Sequence, residues 1–210
     1  MTFNSIILIG AGGHARACID VIEQEGRFVV AGLVGLPDEV GSSVLGYPVL
    51  GTDLDLPDLL AAYGYAFVSL GQIKTPEHRR RLFERVLEST CELPIIVSPR
   101  AYVSPHARLG AGTIVMHGAV VNAAAVVGRN CIINSQSLVE HDVVIADHCH
   151  IATSAVVNSG VRIGSGVFVG STTCVRQGVT IGNGCVIGMG QRVLKDCASG
   201  AWLPIPKDVT

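Results

Sequence analysis

One aliphatic residue stands at every sixth position through the second half of the chain, without an interruption from Val103 to Val193. A helix needs apolar residues three and four positions apart and a flat strand needs strict alternation, so a period of six fits neither. It is typical of short strands joined by tight turns that wind into a β-solenoid with a hexapeptide repeat. The sixteen positions are Val103, Leu109, Val115, Val121, Val127, Ile133, Val139, Ile145, Ile151, Val157, Ile163, Val169, Val175, Ile181, Ile187 and Val193.

A second column, made mostly of small residues, lies four positions after the aliphatic one and predicts a second buried stack. With three hexapeptides to a coil, the repeat makes about five coils, and each aliphatic side chain contacts its counterparts one coil before and one coil after. Solenoids need covered ends, so we expect the segment 202–206 to cover the open end or to pack on a neighbouring chain. The small residues are Ala107, Thr113, Ala119, Ala125, Cys131, Ser137, Val143, Cys149, Ala155, Val161, Val167, Thr173, Val179 and Cys185.

The composition argues against several classes of protein. A formal charge of −2 over 210 residues leaves no broad basic surface, which disfavours a nucleic-acid partner. The seven cysteines are odd in number and form no CxxC pair, which indicates reduced thiols in a cytoplasmic protein. The apolar run Ile6–Ile9 is too short for a signal or membrane segment, so we expect no membrane insertion.

Residues 1–98 lack the repeat and residues 99–210 contain it, so we predict two domains that meet near Ser98-Pro99-Arg100. In the first, strands are predicted over 5–9, 28–34, 65–70 and 94–97, and helices over 14–24 and 76–88. This order of elements is typical of a small α/β unit with a parallel sheet of the Rossmann-like type. The predicted fold class is therefore an α/β domain followed by an all-β parallel β-helix.

A glycine-rich loop, Gly10-Ala11-Gly12-Gly13-His14, joins the first predicted strand to the first helix. Glycines let backbone N–H groups at a helix N-terminus approach an anion, so the loop predicts a site for ligand phosphates, with a purely structural turn as the alternative. His14 is either part of that site or a surface residue that caps the helix. NAD is disfavoured because the second strand ends in Val34-Gly35-Leu36, without the acid that holds a ribose.

Five histidines fall in the repeat, which raises the question of a metal. Imidazoles that meet on one face of a three-sided coil would be 18 or 36 positions apart, and no two of these histidines are so spaced. We therefore predict no zinc site and disfavour a zinc carbonic anhydrase. The five are His106, His117, His141, His148 and His150.

The segment Glu140-His141-Asp142 interrupts a repeat that otherwise avoids charge. An imidazole beside a carboxylate can have one nitrogen oriented by the acid while the other accepts a proton. The segment therefore predicts a general base at His141. A solvated polar turn is the alternative, and the spacing leaves open whether Glu140 or Asp142 is the paired acid.

At these residues the chain resembles a family of bacterial sugar acetyltransferases with a left-handed β-helix. The GAGGHA opening, the Ile-Ile-Asn stretch at 132–134 and the Val-Glu-His-Asp segment at 139–142 carry the resemblance, which covers essentially the whole chain. The family includes N-acetyltransferases of nucleotide-linked amino sugars and O-acetyltransferases of sialic acid.

The resemblance implies roles for individual residues. His141 would be the general base and Asp142 the acid that orients it. Asn134 and Glu140 would bind the sugar substrate, and the loop Gly10 to His14 would bind its phosphates. His150, Ser159 and Gly160 would contact acetyl-CoA.

The resemblance also implies a reaction. Acetyl-CoA would acetylate the 4-amino group of a nucleotide-linked 4-amino-4,6-dideoxyhexose, best matched by GDP-perosamine, in lipopolysaccharide O-antigen synthesis. The amine would attack the thioester directly, and a backbone N–H would stabilise the oxyanion. The enzyme would be a homotrimer with active sites between subunits, and it would need no metal. Sialic acid O-acetylation and a non-catalytic nucleotide-binding scaffold stay open as alternatives.

Two segments depart from the family pattern. Relatives that use uridine nucleotides have acids after the second strand, so Val34-Gly35-Leu36 is compatible with a base other than uracil. The usual GxPA ending is replaced by Leu203-Pro204-Ile205-Pro206-Lys207, so coenzyme A contacts of this segment are not carried over.

Overall fold

The computed structural model describes residues 4–204 and divides into two compact units. The first contains the described residues up to Gly71 together with Glu77–Pro99, and the second contains Gln72–Pro76 together with the described residues from Arg100 onward. The short segment Gln72–Pro76 was not expected in the second unit. It belongs there because the Gln72 side-chain amide donates to the Gly166 carbonyl at 3.3 Å and the Gln72 carbonyl accepts from His150 at 2.7 Å.

The first unit alternates strands and helices, as predicted, with additional elements between residues 35 and 64. Helix α1 begins after Gly12 and ends before Gly26, which adopts the left-handed conformation that stops a helix. A single 3₁₀ turn lies at Pro37–Glu39. The elements are β1 (Asn4–Ile9), α1 (Gly13–Glu25), β2 (Phe28–Val34), β3 (Ser43–Val44), β4 (Tyr47–Gly51), α2 (Leu56–Ala62), β5 (Tyr65–Val68), α3 (Glu77–Leu87) and β6 (Ile96–Val97).

Five of these strands form one sheet in the order β3-β4-β2-β1-β5. The β1 strand is central and pairs in parallel with β2 and β5, while β3 joins the edge as an antiparallel hairpin with β4. The four residues Ile6–Ile9 are fully buried, as expected for a central parallel strand covered on both faces. This sheet holds the glycine-rich loop at the carboxyl end of β1, the edge at which open α/β sheets bind ligands.

The second unit is a left-handed parallel β-helix in which each hexapeptide contributes one strand of two residues. The strands alternate among three sheets, which are the three faces of the coil. They are β7 (Tyr102–Val103), β8 (Arg108–Leu109), β9 (Ile114–Val115), β10 (Val120–Val121), β11 (Val126–Val127), β12 (Ile132–Ile133), β13 (Leu138–Val139), β14 (Val144–Ile145), β15 (His150–Ile151), β16 (Val156–Val157), β17 (Arg162–Ile163), β18 (Phe168–Val169), β19 (Cys174–Val175), β20 (Thr180–Ile181), β21 (Val186–Ile187), β22 (Arg192–Val193) and β23 (Trp202–Leu203).

Successive coils pair in a constant register, in which each strand lies beside the strand three hexapeptides further along the chain. Val121 pairs with Val139, and Val139 pairs with Val157. From Val115 to Val193 the aliphatic column is buried, and so is the column of small residues from Thr113 to Cys185. The two columns predicted from the sequence are therefore the interior of the helix, and its first coil is partly open to solvent.

The turns share one backbone conformation. The third residue after an aliphatic position has a positive φ in almost every turn, and where it is not glycine it is still held in the left-handed region. Asn130, Gln136, Asp142 and His148 are such residues, with φ between 54° and 62°. Asparagine and aspartate tolerate this region better than most side chains.

The chain after Val193 continues the coil. Cys197 pairs with Ile181, and Trp202–Leu203 pair with Val186–Ile187. In both cases the paired residues are closer together in the sequence than the three hexapeptides that separate pairs in the earlier coils. Two residues are missing from this last coil, which explains why the sixfold pattern stops in the sequence although the backbone path continues. Trp202 and Leu203 thus extend a sheet instead of crossing the open end, and the remainder of the predicted cap and of the altered GxPA ending, from Ile205, lies outside the described residues.

The two valines of strand β11 allow a test of which side chains point into the coil and which point out of it. Val127 is 2% exposed inside the coil and its neighbour Val126 is 38% exposed on the outside. We expect Val127→Ala to lower the free energy of unfolding by about 2 kcal/mol, because it removes buried methyl groups and leaves a cavity, and Val126→Ala by less than about 0.5 kcal/mol. Urea unfolding followed by circular dichroism measures both, and equal losses would contradict this inside-outside assignment.

Candidate active site

The turn after strand β13 holds the charged segment predicted to carry the chemistry. Glu140, His141 and Asp142 are its three residues, and Asp142 occupies the left-handed position with φ 60°. The register of three hexapeptides sets Ser159 beside His141 and Gly160 beside Asp142 in the next coil, where the Gly160 N–H donates to the His141 carbonyl at 3.1 Å. The turn Glu140-His141-Asp142 and the turn that contains Ser159 and Gly160 therefore lie side by side. Together these two turns are called the ledge.

Both ring nitrogens of His141 have partners on this ledge. Nδ1 lies 2.8 Å from Oδ2 of Asp142, and Nε2 lies 2.9 Å from Oγ of Ser159. The His141 side chain is 57% exposed and that of Asp142 is 67% exposed. The imidazole is thus oriented at both ends while its face stays open to solvent.

The chemistry of the partners determines where the proton of the neutral ring resides. A carboxylate only accepts hydrogen bonds, so Nδ1 of His141 must donate to Asp142. In the neutral ring Nε2 then has a free lone pair, and the Ser159 hydroxyl donates to it. This is the tautomer that a general base requires, since the acid fixes the ring and stabilises the imidazolium that forms.

Glu140 has different partners from those of Asp142. Its Oε2 accepts from Nδ2 of Asn122 at 3.0 Å and from the backbone N–H of His141 at 3.2 Å. Glu140 therefore holds the backbone of the turn, and Asp142 holds the ring. Asn122 was missed by the sequence analysis, although its spacing of three hexapeptides from Glu140 is the signal that could have found it.

Two clefts open beside this ledge. The first, of about 430 Å³, is lined by His141, Asp142, Ser159, Gly160, Gln177 and Gly178. The second, of about 620 Å³, shares Gln177 and adds the cations Arg176 and Arg192 beside Asn158, Cys174 and Leu194. Two guanidinium groups that line one cleft suit an anionic ligand such as a phosphate. Neither arginine was singled out from the sequence, where their separation is not a multiple of the hexapeptide.

Asn134 and His150 lie together at a different place on the coil. Nδ1 of His150 donates to the Gln72 carbonyl at 2.7 Å, and Nε2 lies 3.1 Å from Nδ2 of Asn134. Because the carbonyl requires the proton on Nδ1, Nε2 is the acceptor and the Asn134 amide donates. His150 is 7% exposed, so this pair is engaged in holding Gln72–Pro76.

The glycine-rich loop has two distinct parts. Gly10 has φ 116°, which L side chains rarely adopt, and a Cβ there would lie 2.6 Å from the Leu70 side chain, so backbone conformation and packing both favour glycine. A Cβ on Gly12 or Gly13 would meet nothing within 4 Å. These two exposed glycines precede and begin α1, where the backbone N–H groups of a first helical turn suit an anion. His14 is the second residue of the helix and is partly buried.

A cavity of about 360 Å³ adjoins this loop within the first unit. Its walls are largely apolar and include Leu36 and Leu54, which are 61% and 90% exposed. Strand β2 ends without an acid, but two acids from other segments line the cavity. Glu39 lies in the 3₁₀ turn and accepts from the Leu36 N–H at 2.8 Å. Asp53 lies 3.6 Å from His78. Glu39, Asp53 and His78 are far apart in the chain, so no sequence pattern groups these three polar residues.

Buried thiols are poor candidates for acyl carriers. Burial raises the pKa of Cys18 to about 12, opposed only by the charge of Arg79. Burial also raises the pKa of Cys149, and the neighbouring Cys131 raises it further. A thiol with a raised pKa forms little of the nucleophilic thiolate, so neither Cys18 nor Cys149 is suited to carry an acyl group.

Within residues 4–204 no cluster of three or more histidine, cysteine, aspartate or glutamate side chains could hold a metal ion. None of the helices in the same range is long and apolar enough to cross a membrane.

Two family models match the chain. The PglD N-terminal domain matches residues 5–86, and the bacterial transferase hexapeptide of six repeats matches residues 124–159. No curated protein sequence matches. The fold and the two models define a hexapeptide-repeat transferase with an α/β domain before the repeat.

Solved structures narrow the class. Perosamine N-acetyltransferase from Caulobacter crescentus, as a histidine-to-asparagine variant with CoA and GDP-perosamine, is 32% identical, with a TM-score of 0.90 over 96% of this chain and 94% of that one. PerB from the same organism, with CoA and GDP-perosamine, is 33% identical, with a TM-score of 0.88 over the same shares. The acetyltransferase domain of PglB from Neisseria gonorrhoeae FA1090, with acetyl coenzyme A, is 31% identical, with a TM-score of 0.88 over 97% of both chains. This chain belongs to the hexapeptide-repeat sugar acetyltransferases with a left-handed β-helix, which confirms the resemblance.

His141 and His150 differ in how far they are exposed to solvent. We expect diethyl pyrocarbonate to modify His141 at least about tenfold faster than His150, because reaction at the buried ring requires local opening of the coil. Peptide mapping by mass spectrometry measures both sites in the same sample, so His150 is the internal control. Equal rates at the two residues would contradict the contacts described for His150.

Proposed function

We propose that the chain transfers the acetyl group of acetyl-CoA to the 4-amino group of a nucleotide-linked 4-amino-4,6-dideoxyhexose, with GDP-perosamine as the acceptor. The observation that carries this proposal is the hydrogen-bonded series Asp142–His141–Ser159 at an open cleft. An amine must lose a proton as it attacks a thioester, and a neutral imidazole held by a carboxylate is suited to take it. The enzyme is an acetyltransferase and acetyl-CoA is its co-substrate.

In the proposed reaction the amine attacks the thioester carbonyl directly and His141 is the general base. Asp142 keeps the proton of the neutral ring on Nδ1 and stabilises the imidazolium. A backbone N–H stabilises the oxyanion of the tetrahedral intermediate. When the intermediate collapses, the C–S bond breaks and the proton held by His141 passes to the leaving thiolate, so the base is regenerated.

The second cleft is the proposed location of the coenzyme A phosphates. Arg176 and Arg192 would pair with them, and backbone groups of Ser159 and Gly160 would contact the pantetheine arm. Since both nitrogens of His150 are occupied within the chain, we assign His150 and Asn134 an indirect role, in which they hold the segment Gln72–Pro76.

In the first unit, Gly12 and Gly13 would bind the nucleotide phosphates with the N-terminus of α1. The neighbouring cavity would hold the base between the exposed side chains of Leu36 and Leu54. We further propose a homotrimer whose active sites lie between subunits, and a cytoplasmic location, where acetyl-CoA and nucleotide sugars are available and the seven free cysteines stay reduced.

Substitution of the base tests the mechanism. We expect His141→Asn to lower kcat by at least about a hundredfold, because the proton acceptor is lost, and to leave GDP-perosamine binding nearly unchanged. Two of the similar structures are histidine variants that still hold CoA and GDP-perosamine, which supports this separation of binding from turnover.

The assay measures acetyl transfer from acetyl-CoA to GDP-perosamine, with calorimetry for binding. His106→Asn is the matched control, since His106 is an exposed histidine of the first coil. Near-normal turnover by His141→Asn would rule out His141 as the base. Wild-type transfer to sialic acid in place of the amino sugar would instead favour the O-acetyltransferase.

The nucleotide cavity has a separate test. We expect Leu54→Ser to weaken GDP binding by about tenfold, because an apolar side chain that covers the base is lost. Leu87→Ser is the control, since Leu87 is 49% exposed in the same unit but does not line the cavity. Thermal shifts with GDP, UDP and dTDP report binding and base preference together. Equal binding by both variants would place the base elsewhere.

A further inference from the structure

The proton-accepting nitrogen of His141 is already in contact with a side chain. Ser159 lies on the neighbouring coil, and its Oγ is 2.9 Å from Nε2. Ala123 occupies the same turn position one coil earlier and offers only a methyl group. An acceptor amine that approaches Nε2 therefore meets a hydroxyl first.

The position of this hydroxyl follows from the backbone. The Gly160 N–H donates to the His141 carbonyl at 3.1 Å, and the Gly178 N–H donates to the Ser159 carbonyl at 3.0 Å. These bonds join three successive coils and keep the Ser159 backbone close to His141. Ser159 also lines the 430 Å³ cleft, together with Gln177, Gly160 and Gly178. Its hydroxyl is therefore next to the space that a substrate would enter.

A hydroxyl differs from the other side chains of the cleft because one oxygen atom both donates and accepts. It can receive a proton on one side while it gives its own to the imidazole on the other. Direct transfer to Nε2 would require the amine to displace the hydroxyl. A transfer through Ser159 keeps the contact that the structure contains.

We propose that Ser159 is a catalytic residue that relays the proton between the acceptor amine and His141; this rests on the proposed acetyl transfer. As the amine lone pair forms the C–N bond, the carbonyl π electrons move to oxygen. The amine proton passes to Oγ of Ser159 while the hydroxyl proton passes to Nε2 of His141. On collapse the C=O bond re-forms, the C–S bond breaks with its electron pair on sulfur, and the proton returns through Ser159 to the thiolate. Serine and histidine end unchanged.

The first experiment is Ser159→Ala in the full-length enzyme, with acetyl-CoA and GDP-perosamine. We expect kcat to fall by about 10- to 100-fold, because the relay is broken, while KM for each substrate changes by less than about threefold. Ser159→Thr keeps a hydroxyl and should recover much of the rate. Ser171→Ala is the matched control, since Ser171 occupies the equivalent turn position on another face of the helix.

The second measurement distinguishes a relay from a merely structural hydroxyl. The wild-type kcat in mixtures of H₂O and D₂O should depend on the deuterium fraction along a curve, because two protons move together. In Ser159→Ala the dependence should become linear, because one proton moves. A linear wild-type dependence, or an unchanged kcat in Ser159→Ala, would overturn the relay.

Other outcomes separate this inference from the proposed function. Loss of turnover in His141→Asn with full turnover in Ser159→Ala would leave the base in place and overturn only the relay. An acetyl group found on Ser159 by mass spectrometry after incubation with acetyl-CoA alone would make Ser159 a nucleophile and overturn the relay as well. A wild-type enzyme that acetylates no nucleotide-linked amino sugar would overturn both proposals.

Discussion

The stacking of each coil on the next, in a register of three hexapeptides, is the constraint on which the second unit depends. Backbone N–H groups of each coil donate to carbonyls of its neighbour, and the aliphatic column from Val115 to Val193 is buried along the axis. Burial of each such side chain contributes about 1.5–3 kcal/mol, and the contribution repeats at every turn. A shift of one residue would turn the column outward, so the register is strongly specified.

This register also assembles the candidate site. The faces of the coil bury aliphatic residues, so polar side chains are left to the turns, and turns that are one coil apart lie side by side. Asn122 contacts Glu140 and His141 contacts Ser159 for this one reason. The left-handed backbone at Asp142 belongs to the shared turn conformation, and there it coincides with the carboxylate that orients His141. The scaffold and the proposed chemistry therefore use the same turn.

Much of this arrangement follows from local pattern. The sixfold spacing predicts the inner residues of β7 to β22, and β2 was predicted over the residues it occupies. The elements β3, β4 and α2 were not predicted, because they are short and depend on packing for their stability. The contact of Ser159 with His141 follows from their spacing of one full coil, a signal that is present in the sequence. Asn134 and His150 are not separated by one full coil, so their contact could not be predicted from the repeat.

The sequence by itself determined the β-helix, its buried columns and the charged turn Glu140-His141-Asp142, because a repeat expresses the same local rule at every step. The tertiary structure decided which carboxylate pairs with the ring of His141, which group meets its second nitrogen, and how Glu39, Asp53 and His78 come to line one cavity. These depend on side-chain directions and on contacts between distant segments, and a linear pattern contains neither.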